Sequence, residues 1–151
     1  MARRVIEICG GTVSGKKIGI LGVAFKPNTD DVRDAPSLKI IPLLQEAGAT
    51  ITAYDPAAMG QAKQLLENVH WKNDPYQVAE DTDALVIITE WNEFRALDLG
   101  RLGQIMKEKC LVDLRSIYKP ADMEGTGFHY VSIGRPEVKP QIAALKKAAG
   151  A

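Results

Sequence analysis

Cysteine is nearly absent: Cys9 and Cys110 are the only two in 151 residues. Neither lies in a CxxC or beside a His, which excludes a zinc site. Isolated cysteines in a neutral chain read as reduced and structural, and Cys110, which opens an apolar run, reads as a small core residue. An excess of either charge is lacking too. With 19 basic and 19 acidic residues the formal net charge is zero, so nothing points to nucleic acid or an anionic membrane surface. Long apolar runs are missing: Ile18 to Phe25 is far too short to span a bilayer. Glu7 interrupts the apolar part of the opening segment, which argues against a secretory signal and leaves the cytoplasm as the default. There is no GxSxG, no His beside either cysteine and no internal repeat, so no nucleophile–base pair is legible. These exclusions leave one globular domain built to bind rather than to catalyse.

What is present is an alternation of strand and helix signals. Lys17 to Phe25 is a Gly-spaced apolar run, as in a buried parallel strand. A polar loop through Asp30, Asp31, Arg33 and Asp34 follows, then a helix from Ser37 to Ala47, with Asp34 as its expected cap and Pro42 as an expected kink. Further strands are expected at Thr50–Tyr54, Val69–Trp71, Asp83–Thr89, Cys110–Asp113 and Phe128–Ser132. Helices are expected at Gly60–Asn68, in a short turn at Pro75–Glu80, and behind the cap Asp98. This spacing predicts a Rossmann-like doubly wound parallel sheet of about six strands in a three-layer α/β/α arrangement. Residues 1–16 read as the end of a helix and a linker, 17–135 as the folded domain, and 136–151 as a helical, Lys/Ala-rich tail.

In a parallel sheet all carboxyl strand ends share one edge. Phe25, Lys26, Arg33, Asp55, Glu90-Trp91-Asn92 and Arg115 should therefore meet there. Three cations on one cleft suit a phosphate or pyrophosphate, and Phe25 and Trp91 offer faces on which a base or sugar can stack. A nucleotide or nucleotide-sugar site is the resulting expectation. Asp30, Asp31 and Asp34 read as loop residues that balance Arg33, and His70 and His129 as structural. A dinucleotide site is a poor match. Gly19 and Gly22 stand where a GxGxxG would begin, but Phe25-Lys26-Pro27 occupies the place of pyrophosphate approach, and Asp55 only imitates the ribose-binding acid. A phosphoacceptor receiver domain, phosphorylated on Asp55 with Asp30-Asp31, Thr89 and Lys119 in support, is a weaker alternative. Its strand order does not fit.

Gly19-Ile20-Leu21-Gly22-Val23-Ala24-Phe25-Lys26-Pro27-Asn28-Thr29-Asp30-Asp31-Val32-Arg33-Asp34 resembles the start of the C-terminal domain of the UDP-glucose/GDP-mannose dehydrogenase family. Tyr54-Asp55-Pro56, Thr89-Glu90-Trp91 and Val112-Asp113-Leu114-Arg115 follow in the family's order. The resemblance implies that Phe25, Lys26 and Arg115 contact UDP or a UDP-sugar such as UDP-glucose. It implies that Arg33 reaches NAD, which a separate N-terminal domain holds. It also implies an intact enzyme, oligomeric through a long central helix, that oxidises a sugar alcohol to a carboxylate in two NAD-dependent steps through a cysteine adduct. Cys9 and Cys110 match neither the motif nor the position of that cysteine. The chain is therefore expected to be a fragment, inactive alone and a weak UDP binder, with Arg3–Cys9 as the stump of the central helix. The choice among UDP-glucose, a UDP-N-acetyl sugar and GDP-mannose stays open.

Overall fold

A computed structural model of the chain describes residues 1–140. Its strands are β1 (Lys17–Leu21), β2 (Thr50–Tyr54), β3 (Val69–Trp71), β4 (Ala84–Ile87), β5 (Cys110–Asp113) and β6 (His129–Ser132). The longer helices are α1 (Ala2–Ile8), α2 (Ser37–Glu46) and α6 (Leu99–Ile105), with shorter ones at α3 (Met59–Ala62), α4 (Pro75–Ala79), α5 (Asn92–Arg95) and α7 (Pro120–Met123). All five strand pairings are parallel, in the order β3-β2-β1-β4-β5-β6. The order reverses between β1 and β4, and open α/β sheets bind their ligands outside the carboxyl ends of strands at such a point.

Side-chain alternation along each strand divides the core into two layers. Ile18, Ile20, Ala84, Val86, Cys110 and Val112 face α1 and α2 through Ala2, Val5, Ile40, Ile41 and Leu44. Leu21, Leu85, Ile87, Leu111 and Tyr130 face Val78 of α4, Phe94 and Leu102. Both faces are covered, which is why the central strands read as continuous apolar runs. No helix among the described residues is long and apolar enough to cross a membrane.

The structure differs from the sequence expectations at several ends. Asp34 does not cap α2; it adopts a left-handed φ of 57°, and the N-cap is Pro36. The helix runs through Pro42 to Glu46. Asp98 does cap α6, accepting from the Arg101 N–H at 3.1 Å. The helix expected over Gly60–Asn68 is the single turn of α3, after which the chain continues in turns. Phe128 is buried but precedes β6. Most of the expected tail helix lies outside the described residues. Residues before it do not begin a helix, since Val138 pairs antiparallel with Tyr130 and extends the sheet edge.

Cys110 is buried at the start of β5, and burial pushes its thiol up to about 12. Cys9 is also raised, again chiefly by burial. Ellman's reagent at pH 8 should therefore leave Cys110 unmodified in the folded chain and label it at once in urea. Because the folded thiol stays protonated where the unfolded one ionises, this group makes stability fall as pH climbs from 9 towards about 12. Equal labelling rates in both states would overturn the assignment.

Candidate nucleotide-binding edge

The loop after β1 is held at its root by all four backbone groups of two residues. The Val23 and Ala24 N–H groups donate to Asp55 Oδ2 at 2.8 and 3.0 Å. Their carbonyls accept from Ser37 Oγ and Thr89 Oγ1, each at 2.8 Å. Phe25 and Lys26 come next. The Phe25 N–H donates to the Asp31 carbonyl at 2.8 Å and closes the loop, and the loop turns at Asn28 with a φ of 65°. Phe25 is 47% exposed despite being a large apolar residue. Lys26 is exposed and has no ion pair among the described residues. The backbone from which the exposed ring and the cation project is thus fixed before any contact is made.

Asp55 organises this edge. It is fully buried, and besides Val23 and Ala24 it accepts from the Ala57 and Ala58 N–H groups through Oδ1 at 2.9 and 2.8 Å. The indole Nε1 of Trp91 donates to Oδ2 at 3.0 Å. The expectation that Asp55 lines the cleft is corrected: with its oxygens saturated and no exposed surface, it can neither accept a phosphoryl group nor reach a ribose. Asp55 also stands directly after β2, the strand that follows the Asp30-Asp31 loop, whereas a receiver needs a further strand between its acidic pair and its acceptor, so the phosphoacceptor reading falls. Trp91 is corrected in part: it is half-buried and packs against both core layers, a buttress rather than an open stacking face.

The same saturation bears on a dinucleotide. The Val23 and Ala24 N–H groups that would approach a pyrophosphate are already taken by Asp55. Gly19 and Gly22 serve packing instead: a Cβ on Gly19 would lie 2.9 Å from both Val78 and Leu85 side chains, and one on Gly22 would lie 2.5 Å from Thr89 Cβ. The residues present do not fit NAD in the Rossmann position.

Arg115 leaves the carboxyl end of β5 on an analogous brace. Asp113, buried at the strand end, accepts from the Arg115 N–H at 3.1 Å, the Tyr118 N–H at 3.0 Å and the Tyr130 hydroxyl at 2.6 Å. Burial, and then the Asp113 carboxylate, push the Tyr130 phenol well above its ordinary range. Arg135 donates to the Tyr130 hydroxyl and the Tyr118 carbonyl, tying the segment after β6 to the same brace. Sequence reading missed Asp113 and Tyr130. A strand-terminal Asp followed two residues later by the chain it must turn was the available signal. The Arg115 side chain pairs with Glu90, Nε to Oε2 at 2.8 Å. Arg33 is paired with Asp31 at 3.0 Å, is 86% exposed, and holds the Asp31 carboxyl below its usual range through hydrogen bonds.

Of the three expected cations, then, Lys26 follows β1 unpaired, Arg115 follows β5 beside Glu90, and Arg33 stands at the outer end of its loop. A concavity of about 740 Å³ lies near the start of β5 between Cys9, Asp83, Lys109 and His129. A second, of about 390 Å³, adjoins Leu114 and the segment Val131–Pro136. Neither is lined by Phe25, Lys26 or Arg115.

Residues 19–120, which span both braced loops, match the model of the UDP-glucose/GDP-mannose dehydrogenase family, UDP binding domain. A UDP-glucose 6-dehydrogenase from Rhizobium meliloti (strain 1021) is 53% identical over 137 residues, which are 91% of this chain and 31% of that protein. The solved UDP-glucose dehydrogenase of the archaeon Pyrobaculum islandicum superposes with a TM-score of 0.70 at 31% identity, covering 88% of this chain and 28% of that one. The UDP-D-ManNAc dehydrogenase of Pyrococcus horikoshii gives a TM-score of 0.70 at 29% identity, over 89% and 29%. The chain thus spans about a third of the length of these relatives. A sheet of this order, with Gly22, Asp55 and Asp113 shaping loops that the family model matches in full, leaves one assignment: the chain belongs to the UDP-glucose/GDP-mannose dehydrogenase family, in its UDP-binding domain.

Proposed function

We propose that residues 17–135 form the UDP-sugar-binding half of a UDP-glucose 6-dehydrogenase, in which Phe25, Lys26 and Arg115 contact the nucleotide sugar. The carrying observation is the root of the β1 loop: four hydrogen bonds fix the backbone at Val23 and Ala24, from which the exposed Phe25 ring and the exposed Lys26 follow directly. Phe25 supplies an apolar face, and Lys26 and Arg115 supply charge-assisted hydrogen bonds to phosphate oxygens. Arg33 faces NAD held by a separate domain of the longer protein, with residues 1–16 as the link to it. That enzyme converts the primary alcohol of UDP-glucose to a carboxylate, a four-electron oxidation taken up by two NAD. Holding the non-reacting UDP fixes the sugar carbon for chemistry done elsewhere. The two thiols of this chain support the division of labour. Cys9 and Cys110 border the concavity near the start of β5, and burial raises both above their ordinary range, so neither is an activated nucleophile.

Calorimetric titration of the chain tests this. UDP should bind and NAD should not. Lys26→Ala and Arg115→Ala should each weaken UDP about 10- to 100-fold, the worth of one charge-assisted hydrogen bond, and Arg33→Ala should leave it unchanged. A preference for NAD, or indifference to both substitutions, overturns the reading. The 29% identity to a UDP-D-ManNAc dehydrogenase favours one rival, a UDP-N-acetyl sugar, which competition between UDP-glucose and UDP-N-acetylglucosamine would decide.

A further inference from the structure

Glu90 and Arg115 issue from neighbouring strand ends, since β4 and β5 pair in register at Ile87 and Asp113. Their ion pair uses one hydrogen bond, Arg115 Nε to Glu90 Oε2 at 2.8 Å. The remaining guanidinium nitrogens, Nη1 and Nη2, have no partner among the described residues. The other carboxylate oxygen, Glu90 Oε1, is buried and accepts from no protein donor. With the side chains 38% and 23% exposed, such a pair adds little to stability, and a buried carboxylate oxygen without a donor works against it. Folding alone therefore does not account for the arrangement.

Its geometry accounts for it better. A long arginine loses rotamer freedom when it binds, and a partner that already holds Nε removes that loss in advance. Engagement through Nε spares the two terminal groups, the pair of donors that can fork onto phosphate oxygens. The Arg115 backbone is held independently by Asp113 and by the left-handed turn at Ser116, with a φ of 55°. Main chain and side chain are thus both set before any ligand arrives.

We infer that Glu90 is a positioning residue which pre-orients the Arg115 guanidinium towards the diphosphate of a nucleoside diphosphate, without touching the ligand itself. The inference rests on the reading above that Arg115 meets the nucleotide. It is tested by a double-substitution cycle on the whole chain, with UDP as the probe and thermal melting as the check on folding. Glu90→Ala should weaken UDP about threefold to tenfold, the share of one pre-ordered side chain. Glu90→Gln, whose carbonyl can still accept from Nε, should stay within about twofold of the parent. In an Arg115→Ala background, Glu90→Ala should change nothing further. Additive losses, or a Gln variant as weak as the Ala variant, would overturn the positioning role while leaving the UDP site intact. If Arg115→Ala alone has no effect on UDP affinity, the site reading fails and this inference fails with it.

Discussion

Replacing Asp55 by alanine is expected to lower the melting temperature more than any other single polar substitution at this edge. Five donors converge on its two oxygens: the N–H groups of Val23, Ala24, Ala57 and Ala58, and Trp91 Nε1. The site is dry, as Asp55, Val23, Ala24 and Ala58 have almost no exposed surface. Each buried donor left without an acceptor costs about 1–3 kcal/mol, and local relaxation recovers part of the sum. A net loss on the order of 4 kcal/mol follows, or roughly 10–15 °C for a domain of this size. Asp55→Asn should lose less, about 2–3 kcal/mol, because one of its oxygens becomes an NH2 that faces donors whichever way the amide turns. Both variants should also bind UDP more weakly, since the root that presents Phe25 and Lys26 comes free. Urea unfolding of the three proteins side by side measures the stability order. A melting curve for Asp55→Ala matching the parent would mean that the carboxylate is not the organising group.

Gly22→Ala is expected to be nearly as damaging, for a steric reason. Gly22 has a φ of +89°, and its Cβ would stand 2.5 Å from Thr89 Cβ and 2.8 Å from Thr89 N. Thr89 cannot move aside cheaply, because its hydroxyl is bonded to the Ala24 carbonyl. Left-handed strain of about 1–2 kcal/mol adds to an overpacking penalty of about 1–3 kcal/mol, giving a total near 3 kcal/mol. Gly125 separates the two contributions. Its φ is +80°, yet nothing lies within 4 Å of its Cβ position, so Gly125→Ala should lose only the conformational part, about 1 kcal/mol. Equal losses at the two positions would show that contact with Thr89 is irrelevant.

These two residues also show where sequence reading reached and where it stopped. Gly22 stands out in the chain as a glycine between a strand and a loop, and Asp55 as an acid after the next strand. In a dinucleotide fold both positions would serve the cofactor. Here a Cβ would strike Thr89 and the carboxylate is buried among donors, so each supports the loop from behind. Their roles depend on residues 67 and 36 positions away, Thr89 and Trp91, and no local pattern carries that pairing. The Glu90–Arg115 contact is of the same kind. The start of α2 differs from its expectation for a local reason: Asp34 has the composition of a cap, as Asp98 does at α6, but its left-handed backbone leaves Pro36 as the N-cap.

Strand existence, the parallel three-layer architecture and the cations on one edge were determined by the chain itself. Apolar runs of four to five residues, as in β1, β4 and β5, bury both faces only in a covered parallel sheet, and such a sheet gathers every carboxyl strand end on one side. Only the tertiary structure decided what each residue at that edge does there. Phe25 and Lys26 stand out because Val23 and Ala24 are bonded on every side, Arg115 is held by Glu90, and Asp55 is spent on the scaffold. Exposure and hydrogen-bond saturation are properties of neighbours in space, and they separate the residues left open to solvent from those that hold them in place.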